Sequence, residues 1–326
     1  MNVASMGFRG IDTVKRIRDN ISRVFIGNEQ AVRILLATLL SEGHTLLLGP
    51  VGSGKTTLAK TIALTIGGVF KRVQVTNETL PSDILGFMIY TPNTEPRLVK
   101  GPIFANVVLL DEINRAPPRT LSALIEAMQE RQITIDGVPL ELPRPHIIVA
   151  TMNVIEVELG YSQQLPLVIL DRFVSSIYIS YVSDEEEMAL VREIDKIERE
   201  MMTLGNITNA NDMMRIINEV RNVYVDDSVL NYMMGIIREI RRDPRVQVTL
   251  STRAPISLFK ISRALAYLDG RDYVLPDDVK VAAYSTLMHR ILLRPEYRGS
   301  VTPMNIIDDA IGKVPVPHYI ETQVKV

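Results

Sequence analysis

HTLLLGPVGSGKTTLAKTIALTI, residues 44–66, passes from a short apolar run through a glycine-rich loop into a helical pattern. The loop GPVGSGKT, residues 49–56, fits the pattern G-x-x-x-x-G-K-[ST], and its place between a predicted strand and a predicted helix is the setting that pattern requires. Gly49, Gly52 and Gly54 let the backbone turn tightly with its amides inward, which makes an anion site at a helix N-terminus. The expected nucleotide contacts run through Gly49, Pro50, Val51, Gly52, Ser53, Gly54, Lys55, Thr56 and Thr57. Lys55 is placed to hold the β- and γ-phosphates of ATP, and Thr56 to put its hydroxyl on magnesium.

Outward from this loop the alternation continues. Residues 69–75, 107–110, 147–150 and 177–181 are further β-branched apolar runs, several of them separated by helical stretches. Amphipathic helices are expected over 10–24 and 29–41. Strands this apolar suit a parallel sheet covered by helices on both faces, so the first half reads as an α/β domain. VVLLDEIN, residues 107–114, sets Asp111 and Glu112 at the carboxyl end of a strand, where such sheets present ligands. Asp111 would organise the magnesium shell, and Glu112 would polarise an attacking water. Asn153 in IIVATMN follows another strand and could orient that water or sense the γ-phosphate, or simply cap the strand end. Two segments interrupt the alternation: a Pro- and Gly-bearing stretch over 79–102, and a hairpin over 132–142 turning on Asp136-Gly137.

After residue 181 only helical periodicity remains. Helices are expected near 184–203, 209–222, 226–241, 251–268 and 276–292, the first opened by a capping box of Ser183 and Glu186. Beyond Pro295 no strong period is evident, and a loop with a short strand or strap is expected. The division is therefore an α/β nucleotide-binding domain over 1–182, a small all-α lid over 183–293 and a tail over 294–326.

With 326 residues, 46% hydrophobic and 23% charged, the chain has material for two packed domains. A formal charge of −2 gives no whole-chain field for nucleic acid or anionic membranes. The absence of cysteine excludes disulfides, thiol catalysis and thiolate metal sites, and with no signal-peptide core in MNVASMGFRGIDTVKRIRDN a cytoplasmic protein is expected. The longest apolar runs, such as 34–40, fall far short of the roughly 20 residues of a membrane span. His44, His146, His289 and His318 are scattered outside any metal-ligand spacing.

Arg172 in ILDRF and Arg253 in TLSTRAP are singled out because guanidinium groups stabilise the charge spread during phosphoryl transfer. Together these residues resemble the MoxR family of AAA+ ATPases. The segment 100–137, KGPIFANVVLLDEINRAPPRTLSALIEAMQERQITIDG, looks like that family's Walker B region, and LPSDILG, residues 80–86, is similar to its helix-two insert. The resemblance implies an AAA+ core and helical lid, with Asn153 as sensor one, Arg172 as an arginine finger offered to a neighbour, and Arg253 as sensor two. It implies that Ile26 and Gly27 in IGNEQAV pack on adenine. It also implies a homo-hexameric ring acting on protein clients, von Willebrand factor A domain proteins among them. Val154, where the family commonly has proline, and the stretch 156–169 depart from the pattern. The alternatives are a nucleic-acid motor, for which Arg238, Arg241, Arg242 and Arg245 offer a basic cluster, a metal-chelatase motor subunit, and an ATP-gated scaffold without turnover.

Overall fold

The computed structural model describes residues 8–153 and 163–317. Helices α1 (Ile11–Ser22) and α2 (Glu29–Leu40) precede β1 (Thr45–Leu48), α3 (Lys55–Thr65) and β2 (Phe70–Gln74). A short helix α4 (Pro81–Leu85) and the hairpin β3 (Gly86–Ile89) and β4 (Arg97–Lys100) follow. Then come β5 (Val107–Asp111), α5 (Pro118–Glu130), a second hairpin β6 (Gln132–Ile135) and β7 (Val138–Glu141), and β8 (Ile147–Met152). A single-turn α6 (Leu167–Leu170) leads into β9 (Ser175–Tyr178).

Five of these strands form one parallel sheet in the order β2-β5-β8-β1-β9. The central strands β1, β5 and β8 lack a polar face because both faces are covered, whereas β2 at the sheet's edge exposes Lys71, Arg72 and Gln74. Leu47, Leu109 and Val149 point into one hydrophobic cluster, and their neighbours Leu46, Leu110 and Ala150 point into the other. The first cluster continues into the second half of the chain, where α10 packs on α2; the second includes side chains of α4, α5 and the β6–β7 hairpin.

The second half is helical: α7 (Asp184–Thr203), α8 (Ala210–Arg221), α9 (Asp227–Arg242), α10 (Arg253–Leu268), α11 (Pro276–Leu287) and α12 (Pro303–Lys313). Ser183 Oγ accepts from the Glu186 amide at 3.3 Å while Glu186 accepts from the Ser183 amide at 2.9 Å, which closes the expected capping box.

Three expectations change. The stretch 79–102 is not mainly loop but a helical turn and a hairpin. The last sheet strand starts at Ser175, earlier than its apolar residues suggest, because Ser175 Oγ is buried and satisfied by Thr38 and Thr45 hydroxyls at 2.7 and 2.8 Å. The tail holds α12 instead of a strap: Thr302 caps it with Asn305, Pro303 opens it, and Ile306, Ile307 and Ala310 are buried against α9 and α11. Val154, residues 156–162 and His318 lie outside the described residues. Among the described residues, no helix is long and apolar enough to cross a membrane.

Candidate functional site

The loop after β1 wraps the N-terminus of α3. Gly49 has φ 144°, and a Cβ there would stand 2.1 Å from the Ile179 carbonyl, so the loop passes too close to the chain after β9 for any side chain. Gly54, at φ 83°, caps α3, with the Phe25 ring 3.0 Å from where its Cβ would be. The Lys55 ammonium curls onto the loop, donating to the carbonyls of Gly49 at 3.0 Å and Pro50 at 2.5 Å and to Ser53 Oγ at 3.3 Å. Burial lowers its pKa, opposed by Asp111 and then Glu112.

A polar cavity of about 480 Å³ opens at this loop. The loop from Val51 to Thr57 lines it, together with Arg72 and Gln74 of β2, Asp111 and Glu112 at the end of β5, and Thr151 and Asn153 at the end of β8. Adjacent parallel strands deliver all of these to one edge of the sheet. Asp111 accepts from Arg72 Nη2 at 2.6 Å through Oδ2 and from Thr151 Oγ1 at 2.6 Å through Oδ1. Thr151 Oγ1 in turn accepts the Glu112 amide at 2.9 Å. One hydroxyl thus braces both acids. Glu112 has φ 58°, an uncommon backbone for a non-glycine, and its carboxylate accepts from Gln74 at 3.0 Å and Arg115 at 2.9 Å.

The volume falls in the range of small-molecule sites. An inward-turned loop at a helix start suits phosphates. The Thr56 hydroxyl and Asp111 carboxylate are the hard oxygen donors that magnesium takes in small number beside phosphate oxygens. ATP with magnesium therefore fits the residues present.

Ile26 and Gly27 do not line this cavity. A Cβ on Gly27, at φ 76°, would meet Val182 at 2.9 Å and Glu186 at 3.1 Å, and it is the preceding Phe25 that reaches Gly54 of the loop. Arg172 and Arg253 line a second cavity of about 220 Å³ with Asp171, Lys260 and Arg290. Arg172 donates to Gln129 Oε1 at 2.7 Å and to the Val168 carbonyl, while Arg253 pairs with Asp171 at 3.3 Å. The structure brings the two arginines together, but not to the phosphate-loop cavity.

Thr151, Arg72, Asp171 and Arg290 were not singled out in the sequence. Arg290 is buried and donates to Asp171 Oδ1 at 3.1 Å, to the Phe173 carbonyl at 2.7 Å and to Ser257 at 3.1 Å; burial holds its pKa down to about 10. The available signal for Asp171 was its place next to Arg172. The cluster of Arg238, Arg241, Arg242 and Arg245 does not form one open basic patch. Arg241 donates to the carbonyls of Leu250 and Ser251, and Arg245 is clamped by Asp243 and Asp309.

Residues 44–175 match the family profile "ATPase family associated with various cellular activities (AAA)", and residues 238–310 match "AAA lid domain". A phosphate loop after β1, acids closing β5 and a helical lid define an AAA+ ATPase, an enzyme that binds and hydrolyses ATP. The chain is 39% identical to the uncharacterized protein YeaC of Bacillus subtilis over 92% of this chain and 93% of that one. It is 33% identical to the chaperone MoxR1 of Mycobacterium tuberculosis over 94% of this chain and 83% of the relative. A crystal structure of a candidate ATPase from Cytophaga hutchinsonii superposes with a TM-score of 0.86 at 33% identity, covering 94% of this chain and 96% of that one. The chain belongs to the MoxR family of AAA+ ATPases.

Proposed function

We propose that this ATPase is magnesium-dependent, works in the cytoplasm as a head-to-tail ring of six identical copies, and uses its cycle to remodel or activate protein clients. The observation that carries the assembly is the split between two cavities. Lys55, Thr56, Asp111, Glu112 and Asn153 line one; Arg172 and Arg253 line the other. Phosphoryl transfer needs both sets, because charge spreads over the transferring group as the bond breaks. A contact that sets the second cavity of one copy over the first cavity of the next completes a site at every interface. Such a contact is heterologous and closes into a ring by rotation.

Within the composite site, the amides of the loop from Gly49 to Thr57 and the Lys55 ammonium take the phosphate chain. Thr56 and Asp111 would supply the protein oxygens to a magnesium ion, whose chemistry there would be to offset phosphate charge. Glu112 orients and polarises the attacking water, Asn153 reads the γ-phosphate, and Arg172 and Arg253 arrive from the adjoining copy. Ile26 and Gly27 lie on the base side of the loop. The working division is a core to residue 182, a lid over 183–293 and a tail from 294 whose helix α12 packs on the lid.

Client work is supported by the chaperone designation of MoxR1, and von Willebrand factor A domain proteins are the first clients to test. Glu112→Gln should keep nucleotide affinity, cut ATP turnover by on the order of 10²–10⁴, and hold a client when used as bait in the presence of ATP. Near-normal turnover by this variant would remove Glu112 from the chemistry. ATP-independent retention of the same proteins would remove the remodelling cycle.

A further inference from the structure

The second cavity is more cationic than its two finger-like arginines account for. Lys260 stands on α10 two turns after Arg253 and lines the same space, where Asp171 is the only carboxylate among the described lining residues. Both Asp171 oxygens are engaged, by Ser251 at 2.8 and 2.9 Å, Arg290 at 3.1 Å and Arg253 at 3.3 Å. The carboxylate that acts on Lys260, Glu42, is held by Arg131 at 2.8 Å and by Arg221. Lys260 is half-buried, and none of the described residues hydrogen-bonds or ion-pairs with its ammonium. Burial depresses its pKa, and Arg131 adds to that; Glu42 opposes it.

A half-buried ammonium under the charge of Arg131, Arg221 and Arg263 is unfavourable for the isolated copy. It becomes favourable when an anion with several charges enters. Arg172 and Arg253 present planar forks suited to phosphate oxygens, and a lysine adds a compact charge from another direction. Arg290 is bound by Asp171, Phe173 and Ser257, so it serves as scaffold. That leaves Lys260 as the uncommitted cation among the described lining residues.

We propose that Lys260 is a phosphate-binding residue of this cavity, contacting the terminal phosphoryl group of ATP held by the phosphate loop of the adjoining copy. The assignment rests on the two-cavity reading above. It makes Lys260 a catalytic residue in trans, absent from the cavity in which its own copy binds nucleotide.

The test uses the full chain and four variants. Lys260→Ala should fold with an unchanged melting temperature and bind ATP normally when dilute, yet turn over on the order of 100-fold more slowly; Lys260→Arg should keep most of the activity. Mixing Lys260→Ala with Lys55→Ala then decides, because neither copy has a complete site of its own. In mixed assemblies the Lys260→Ala copy offers an intact phosphate loop and the Lys55→Ala copy offers Lys260, so activity should return. Arg172→Ala mixed with Lys55→Ala reports on the shared site itself: recovery there but not with Lys260→Ala overturns the Lys260 assignment alone. Failure of both mixtures removes the composite site and this proposal with it. Turnover by Lys260→Ala within twofold of the parent overturns it directly. Weakened assembly that does not depend on ATP also overturns it, assigning Lys260 to a subunit contact.

Discussion

At the residue scale, the acids closing β5 depend on a hydroxyl 40 residues beyond Asp111 in sequence but next to it in space. Thr151 Oγ1 donates to Asp111 Oδ1 at 2.6 Å and accepts the Glu112 amide at 2.9 Å, so a single group fixes a carboxylate and an uncommon backbone turn. Thr151→Val keeps the shape but leaves a buried amide and a carboxylate oxygen short of a partner, at about 1–3 kcal/mol each for a group left unsatisfied. Unfolding in urea should register the loss. Turnover should fall further than nucleotide affinity does, because the loop amides and Lys55 are untouched, and Thr151→Ser should restore both. An equal fall in affinity and turnover would mean that the hydroxyl supports the whole cavity, not the acids in particular.

At the scale of elements, the two hairpins touch each other. The Tyr90 hydroxyl, just past β3, donates to Asp136 Oδ2 at 3.0 Å, and Asp136 and Gly137 turn the β6–β7 hairpin with φ 49° and 79°. Tyr90 is 65% exposed, so Tyr90→Phe should change global stability little. Hydrogen exchange at the amides of β6 and β7 should nevertheless quicken if this bond couples the hairpins, and unchanged exchange would show them to be independent. The β6–β7 hairpin was legible because Asp-Gly between alternating residues has few other readings, and the centre of the sheet was legible because β1, β5 and β8, buried on both faces, carry nearly unbroken apolar runs. The first residues of β9 were not, since buried serines satisfied by Thr38 and Thr45 look like surface residues in a linear string. Nor was α12, whose short apolar stripe is hidden by the prolines around it. The phosphate loop and Asp111-Glu112 are local patterns and could be read directly. The meeting of Arg172, Arg253 and Lys260 is tertiary: Asp171, just after α6, pairs with Arg253 and Arg290 of the lid half, and no spacing announces it.

At the scale of the whole molecule, the buried His44 and His146 and the half-buried His289 join separate parts of the fold, and each does so as a neutral ring. His44 Nδ1 accepts the Ile148 amide at 2.9 Å while Nε2 donates to the Met128 carbonyl at 3.1 Å, which links β8 to the end of α5. His146 donates from Nδ1 to the Ala105 carbonyl at 2.8 Å. His289, just after α11, contacts Ser176 at 3.0 Å and the Phe173 carbonyl at 3.0 Å, at the seam between lid and core. Burial is the main cause that lowers all three pKa values, to about 3 for His44, about 4 for His146 and well below 6.5 for His289. An unfolded chain would protonate them near 6.5. Between pH 6.5 and about 4 the unfolded state therefore binds more protons than the folded one, and stability is full above 6.5 and falls as the solution is acidified. Each histidine should contribute a slope approaching ~1.4 kcal/mol per pH unit below 6.5, or roughly 2 kcal/mol between pH 7 and pH 5. For two or three such groups that is a large share of an ordinary domain's stability. Urea unfolding at pH 7, 6 and 5 should give steadily lower midpoints, and His146→Leu, whatever it does to absolute stability, should flatten the pH slope by about one proton. A pH-independent midpoint across that window would mean that these rings are protonated in the folded protein, with the Ile148 amide left facing a cation.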